Sequence, residues 1–184
     1  MPSPPKRRVK LAFVGCGVIS QHHLTALCNP LAADADGDRR VDVTVVVDPS
    51  AENRAKTAAE VEAKTGARPA EFESLAAAFA ADPDRQLFDA CDVMVPSVGT
   101  LHETVGVEAM AGGRHVLLEK PIAVSPASAD RLCAAGAALP AGQVFMVAEN
   151  SQYWPEVVEV ISRPCPFLPC CPPPLRPPRM FLRC

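Results

Sequence analysis

The stretch Val9-Lys10-Leu11-Ala12-Phe13-Val14-Gly15-Cys16-Gly17-Val18-Ile19-Ser20 decides the fold. Val9–Val14 is mostly apolar and does not alternate with polar residues, so it reads as a strand buried on both faces. It runs directly into two glycines, and a helical pattern follows over Ile19–Cys28. Further out, Val41–Val47, Cys91–Val95, His115–Leu118 and Val144–Ala148 read as four more Val-rich strands of the same kind. Helical stretches near Ala51–Thr65, Ser74–Ala81, Leu101–Ala111 and Pro126–Leu139 lie between them, several closed by Gly or Pro just past the end. Strand and helix in regular alternation predict an α/β fold with a doubly wound parallel sheet and right-handed crossovers.

Gly15-Cys16-Gly17-Val18-Ile19-Ser20 is a G-x-G-x-x-S version of a phosphate-binding loop, placed between a strand and a helix. Gly15 permits the tight turn, and Gly17 lets the backbone approach a pyrophosphate with no Cβ in the way. The free amides of the new helix, beginning at Val18 and Ile19, face the phosphates. Ser20 takes the place of the third Gly or Ala, where helix and strand pack closely and a small hydroxyl is tolerated. The plain alternative is a chance glycine turn. Asp48 ends the second strand, where a carboxylate accepts hydrogen bonds from both ribose hydroxyls of an adenosine. This points to NAD rather than NADP, because a 2′-phosphate would meet that charge and Pro49 and Ser50 offer no guanidinium; Arg54 lies further along. Capping of the next helix is a second role compatible with Asp48. Asp48 comes later than the customary spacing of roughly 20 residues. The polar loop Asn29–Arg40 accounts for the excess; its Asp34, Asp36 and Asp38 lack calcium-loop spacing and read as a solvated turn. The reading is a Rossmann-type dinucleotide-binding domain over residues 9–161.

Taken with the glycine loop and Pro96 through His102, the segment His115-Val116-Leu117-Leu118-Glu119-Lys120-Pro121 resembles the Gfo/Idh/MocA family of NAD(P)-dependent oxidoreductases. The resemblance runs from Val9 to about Ile161 and includes Val147-Ala148-Glu149-Asn150 and Tyr153-Trp154-Pro155. It implies action on a sugar, cyclitol or related polyol. It also implies that Lys120 contacts the substrate hydroxyl and serves in proton transfer or polarisation, while Glu119 lines the nicotinamide side. Pro121 would fix the turn through a cis bond, and Pro96 and His102 would lie near the cofactor; His102 has helix capping as its alternative. Independently of the resemblance, Lys120 sits at the carboxyl end of a parallel strand, the edge where open α/β sheets bind ligands. His22 and His23, adjacent on the first helix, cannot share a face and are expected at the surface without a role.

The resemblance implies a second domain that closes over the nicotinamide in the family, and the residues after Ile161 are expected not to form it. Little or no turnover is therefore expected of this chain alone, and an oligomer is doubtful. A non-catalytic NAD-binding or regulatory protein is the alternative function. From Arg163 onward the prolines crowd together and Cys165, Cys170, Cys171 and Cys184 cluster. That composition reads either as a disordered, polyproline-like tail or, preferentially, as the product of a truncated or misread gene. Met1–Arg8 is likewise expected to be disordered.

A net charge of −3 gives no basic face for nucleic acid. No apolar run approaches the roughly 20 residues that cross a bilayer, and the start lacks a signal peptide's apolar stretch, so a cytoplasmic protein is expected. Cys16, Cys28, Cys91 and Cys133 read as ordinary small core residues, and no cysteine spacing matches a zinc site, so no metal is expected.

Overall fold

The computed structural model describes residues 8–29, 40–151 and 154–162. Most of the N-terminal segment, nearly all of the Asn29–Arg40 loop with its aspartates, Tyr153, and the Pro/Cys-rich stretch from Arg163 lie outside the described residues. In chain order the elements are β1 (Val9–Val14), α1 (Val18–Leu27), β2 (Val41–Val47), α2 (Ala51–Thr65), β3 (Ala70–Phe72), α3 (Leu75–Ala81), β4 (Ala90–Val93), α4 (Leu101–Ala111), β5 (His115–Leu118), α5 (Pro126–Ala137), β6 (Phe145–Val147) and α6 (Pro155–Ser162). All sheet pairings are parallel and the strand order is β3-β2-β1-β4-β5-β6. The doubly wound sheet is therefore as expected. The short β3 and α6 are additions to it.

Two apolar clusters sandwich the sheet. On one face Leu11, Phe13, Val46, Ala90 and Met94 meet Leu24 of α1 and Ala58 and Val61 of α2. On the other, Val14, Val45, Cys91, Val93, Val116 and Leu118 meet Ala78 of α3, Ala109 and Met110 of α4, and Leu132 of α5. Burial on both faces explains why the strands read as continuous apolar runs. β2 achieves it with an irregularity: Leu11 pairs with Val43 and Ala12 with Val45, leaving Thr44 over. The extra residue lets consecutive valines reach opposite faces in a changed phase, and the Thr44 hydroxyl donates to the Leu87 carbonyl at 2.6 Å.

Local capping sets the helix starts. Ser50, Ser74 and Ser125 each accept an amide hydrogen at the N-terminus of α2, α3 and α5, and Pro126 opens α5. Ser50 rather than Asp48 thus caps α2. The N-cap of α1 is Gly17, which has no side chain to do so.

Pairing register fixes where the loops emerge. Val14 pairs with Val47 on one side and Val93 on the other, and Val93 pairs with Leu118. The next residues, Asp48, Gly15, Met94 and Glu119, consequently start their loops side by side along the carboxyl edge. Strand order reverses direction between β1 and β4, so the β1 and β4 loops part there and leave a crevice.

Candidate functional site

A cleft of about 510 Å³ occupies that crevice, and its walls include Gly15, Gly17, Val18, Ile19, Asp48, Pro96, His102, Glu119 and Lys120. Register along the sheet edge brings these together from four separate loops. Of the predicted site residues, Ser20, which is buried, and Pro121, which is exposed, are not among the wall residues. Asn53 of α2, Met94 and Val95 line the cleft as well, and nothing in their residue types or spacing announced them.

The glycine loop is shaped by two different demands. Gly15 has φ +99°, and a Cβ there would stand 2.8 Å from the Met94 carbonyl oxygen, so the turn and the approach of the β4 end both require glycine. A Cβ on Gly17 would meet nothing within 4 Å, because it would project into open space on a cleft-lining residue. The Gly15 amide donates to the Val47 carbonyl at 2.8 Å and the Cys16 amide to Asp48 Oδ2 at 2.8 Å. These two amides are consequently spent on the turn, and the amides of Gly17, Val18 and Ile19, with no preceding helical turn to bond, remain for an anion. Ser20 is fully buried and its hydroxyl donates to the Gly17 carbonyl at 2.7 Å, which explains how serine is accommodated. Val18 is 72% exposed, and Ile19 and Val98 are exposed beside it, so the cleft presents apolar surface to a planar ring.

Asp48 is oriented by backbone: besides Cys16, the Ser50 amide donates to its Oδ1 at 2.8 Å. Each carboxylate oxygen keeps a further lone pair for a sugar hydroxyl. The Arg54 guanidinium donates to the Asp48 carbonyl at 2.6 Å. Burial, with the Asp48 charge adding, pushes the neighbouring Cys16 thiol up to about 11, so it stays a neutral thiol.

His102 lies in the first turn of α4, after its N-cap Thr100, and is buried. One ring nitrogen is 2.8 Å from the Pro121 carbonyl and the other 2.9 Å from the Val95 carbonyl, so the ring ties the β4 and β5 loops beside the cleft it helps to line. The Lys120–Pro121 peptide bond is cis. Lys120 is exposed at the cleft mouth, and Glu149 nearby is held below the usual carboxylate range by the Ser151 hydroxyl and amide, with Lys120 contributing.

The expectation for His23 is corrected. His22 is exposed, but the His23 side chain is only 18% exposed. Its Nδ1 lies 2.7 Å from Asp92 Oδ2 and its Nε2 lies 3.0 Å from Glu119 Oε1. Asp92 points from β4 to the face that α1 covers, and a buried carboxylate there needs a cationic or donating partner. That was the available signal: one aspartate inside an otherwise apolar strand, with a histidine pair on the helix crossing it. The Asp92 hydrogen bond raises the pKa of His23 against burial, and burial raises that of Asp92 against His23. Among the described residues no three His, Cys, Asp or Glu side chains group as a metal site, and no helix is long and apolar enough to cross a membrane.

The sequence model of the oxidoreductase family with an NAD-binding Rossmann fold, Gfo/Idh/MocA, matches residues 9–148. The chain belongs to the Gfo/Idh/MocA family. As a Gfo/Idh/MocA domain it binds NAD, and its sheet-edge cleft offers open space at Gly17, a carboxylate oriented by two amides at Asp48, and exposed apolar side chains at Val18 and Val98. Among solved structures it is similar to the WlbA dehydrogenase from Bordetella pertussis, in complex with NADH and UDP-GlcNAcA. Identity there is 29% and the TM-score 0.63, over 84% of this chain and 42% of that one. An NAD-binding oxidoreductase from Klebsiella pneumoniae is 26% identical with TM-score 0.67, over 85% and 38% of the two chains. GenD2 from gentamicin A biosynthesis, in complex with NAD, is 27% identical with TM-score 0.62, over 88% and 41%. This Gfo/Idh/MocA chain thus spans about two fifths of the length of these neighbours. A search of curated proteins gave no match.

Proposed function

We propose that this chain is the cofactor-holding part of an NAD-dependent oxidoreductase that acts on a hydroxyl-bearing carbon of a sugar, cyclitol or related polyol. The observation that carries the reading is the common sheet edge: Asp48, the Gly17–Ile19 amides, Glu119 and Lys120 stand along one cleft. The adenosine ribose would be held by Asp48 and the pyrophosphate by the amides of Gly17, Val18 and Ile19. The nicotinamide half would lie toward β4 and β5, against Pro96, His102 and Glu119. NAD, when bound, supplies the hydride acceptor. Lys120, next to that end, would orient the substrate hydroxyl and take up its proton. UDP-GlcNAcA, held by the Bordetella protein, supports a sugar-like substrate class. Because Lys120 is exposed, water reaches the reacting side, and turnover by the chain alone is expected to be low.

Calorimetric titration tests the cofactor assignment: NAD should bind at least several-fold more tightly than NADP, since the 2′-phosphate meets Asp48. Replacing Asp48→Ala should weaken NAD and narrow that ratio. Tighter NADP binding by the unaltered chain would show that Asp48 does not select. For the chemistry, hydride transfer from a panel of polyols and nucleotide sugars should yield a slow rate that disappears in Lys120→Met. A rate unchanged by that substitution would remove Lys120 from the reaction.

A further inference from the structure

The cofactor reading gives no role to His23 and Asp92, which hydrogen bonds join to Glu119. This link begins at Asp92, whose carboxylate is 2% exposed in the centre of the sheet and whose Oδ1 has no partner. It passes through His23 to Glu119 Oε1, and Glu119 Oε2 accepts the Lys120 amide hydrogen at 2.8 Å. An unbroken path thus leads from the sheet interior to the backbone of the residue assigned to the substrate hydroxyl.

Both ring nitrogens of His23 face carboxylate oxygens. Only the imidazolium donates to both; a neutral ring keeps one N–H and turns a lone pair on the other carboxylate. Asp92 is nearer and more buried, so it retains the N–H, and Glu119 meets the lone pair. Of the elements packed around His23, β4 contributes Asp92 and the β5 end contributes Glu119, with Lys120 beside it. Glu60 of α2 engages Gln21 instead, at 3.4 Å, and His22 on the same helix is exposed.

We propose that His23 is a positioning residue: anchored as a cation on Asp92, it fixes the Glu119 carboxylate and hence the Glu119–Lys120 backbone at the nicotinamide end of the cleft. This rests on the reading of the cleft as the NAD site. Its consequence is selective, because Glu119 belongs to the nicotinamide half and Asp48 to the adenosine half. Loss of the His23 proton should disturb NAD binding and leave ADP-ribose binding alone.

The sign follows from the ring. A histidine raised above its ordinary value of 6.5 keeps its proton past that pH. Full positioning is therefore present below 6.5 and is lost as pH climbs through the raised value. The test measures dissociation constants of NAD and ADP-ribose over this range, alongside nuclear magnetic resonance titration of the His23 ring without ligand. Expected is a ring titrating above 6.5 and, with the same midpoint, a fall of about tenfold in NAD affinity relative to ADP-ribose, the weight of one lost charge-assisted hydrogen bond. In His23→Gln the ratio should lie at its high-pH level and no longer vary. Since that variant leaves Asp92 buried without a cation, the double variant His23→Gln/Asp92→Asn, neutral throughout, serves as the folded control and should show the same flat ratio. A pH-independent ratio in the unaltered chain, a ring titrating below 6.5, or a double variant that keeps the original profile would overturn the proposal. Binding of neither ligand, with the ring still titrating high, would instead remove the cleft reading on which it rests.

Discussion

At the scale of single residues, the two loop glycines separate folding from binding. Gly15 is confined by a positive φ and by the Met94 carbonyl, so Gly15→Ala should cost at least about 2 kcal/mol in chemical denaturation. Gly17 has an ordinary φ of −79° and free space at its Cβ. Gly17→Val should leave stability within about 1 kcal/mol while lowering NAD affinity tenfold or more, as the side chain fills the phosphate position. If Gly17→Val bound NAD normally, the pyrophosphate would not lie over this turn. The core thiols give a second prediction. Burial pushes Cys91 up to about 12 and Cys16 up to about 11, so neither should react with iodoacetamide in the native protein near neutral pH, whereas of the four cysteines among the described residues the less buried Cys28 and Cys133 should label ahead of these two. Mass spectrometry of the labelled sites decides this.

At the scale of elements, β5 is anchored at its amino end, away from the cleft. Arg114 is 1% exposed, its guanidinium lies over the rings of Phe79 and Phe88, which stack on each other at 5.7 Å, and it pairs with Asp82 at 2.8 Å. Asp82 also accepts the amides of Gln86 and Leu87. Asp82→Ala would strand a buried guanidinium and should destabilise the fold by about 3–5 kcal/mol, with NAD affinity per folded molecule unchanged; a loss below about 1 kcal/mol would mean the pair is not sealed from water. The elements also show what a sequence reveals and what it conceals. β1, β2, α2, α4 and β5 were legible to the residue, because doubly buried valine runs and Gly- or Ser-marked ends leave few other readings. Ala70-Glu71-Phe72 was not: β3 has three residues, only partly buried, and is defined by pairing with β2 rather than by its own pattern. α1 was placed correctly, yet helical spacing alone tells that His22 and His23 diverge and not which of them meets Asp92. The place of Gly15, Gly17, Asp48 and Lys120 on one sheet edge was readable because backbone freedom and charge at strand ends are local properties. Asn53, Met94 and the His23 link depend on packing between distant segments.

At the scale of the whole molecule, a parallel sheet that reverses its strand order places the Gly15–Gly17 turn, the Asp48 carboxylate and Lys120 on one edge. The chain supplies that edge with its loops already braced: Asp48 by two amides, and the β4 and β5 loops by His102. An ordered cleft of this kind should bind NAD with little backbone rearrangement. Amide nuclear magnetic resonance of the folded chain during NAD titration tests this most directly. Saturable shifts should concentrate at Gly17, Val18, Ile19, Asp48 and Glu119, with the amino ends of the strands unmoved. Shifts elsewhere on the surface, or none at all, would contradict a dinucleotide site in this crevice.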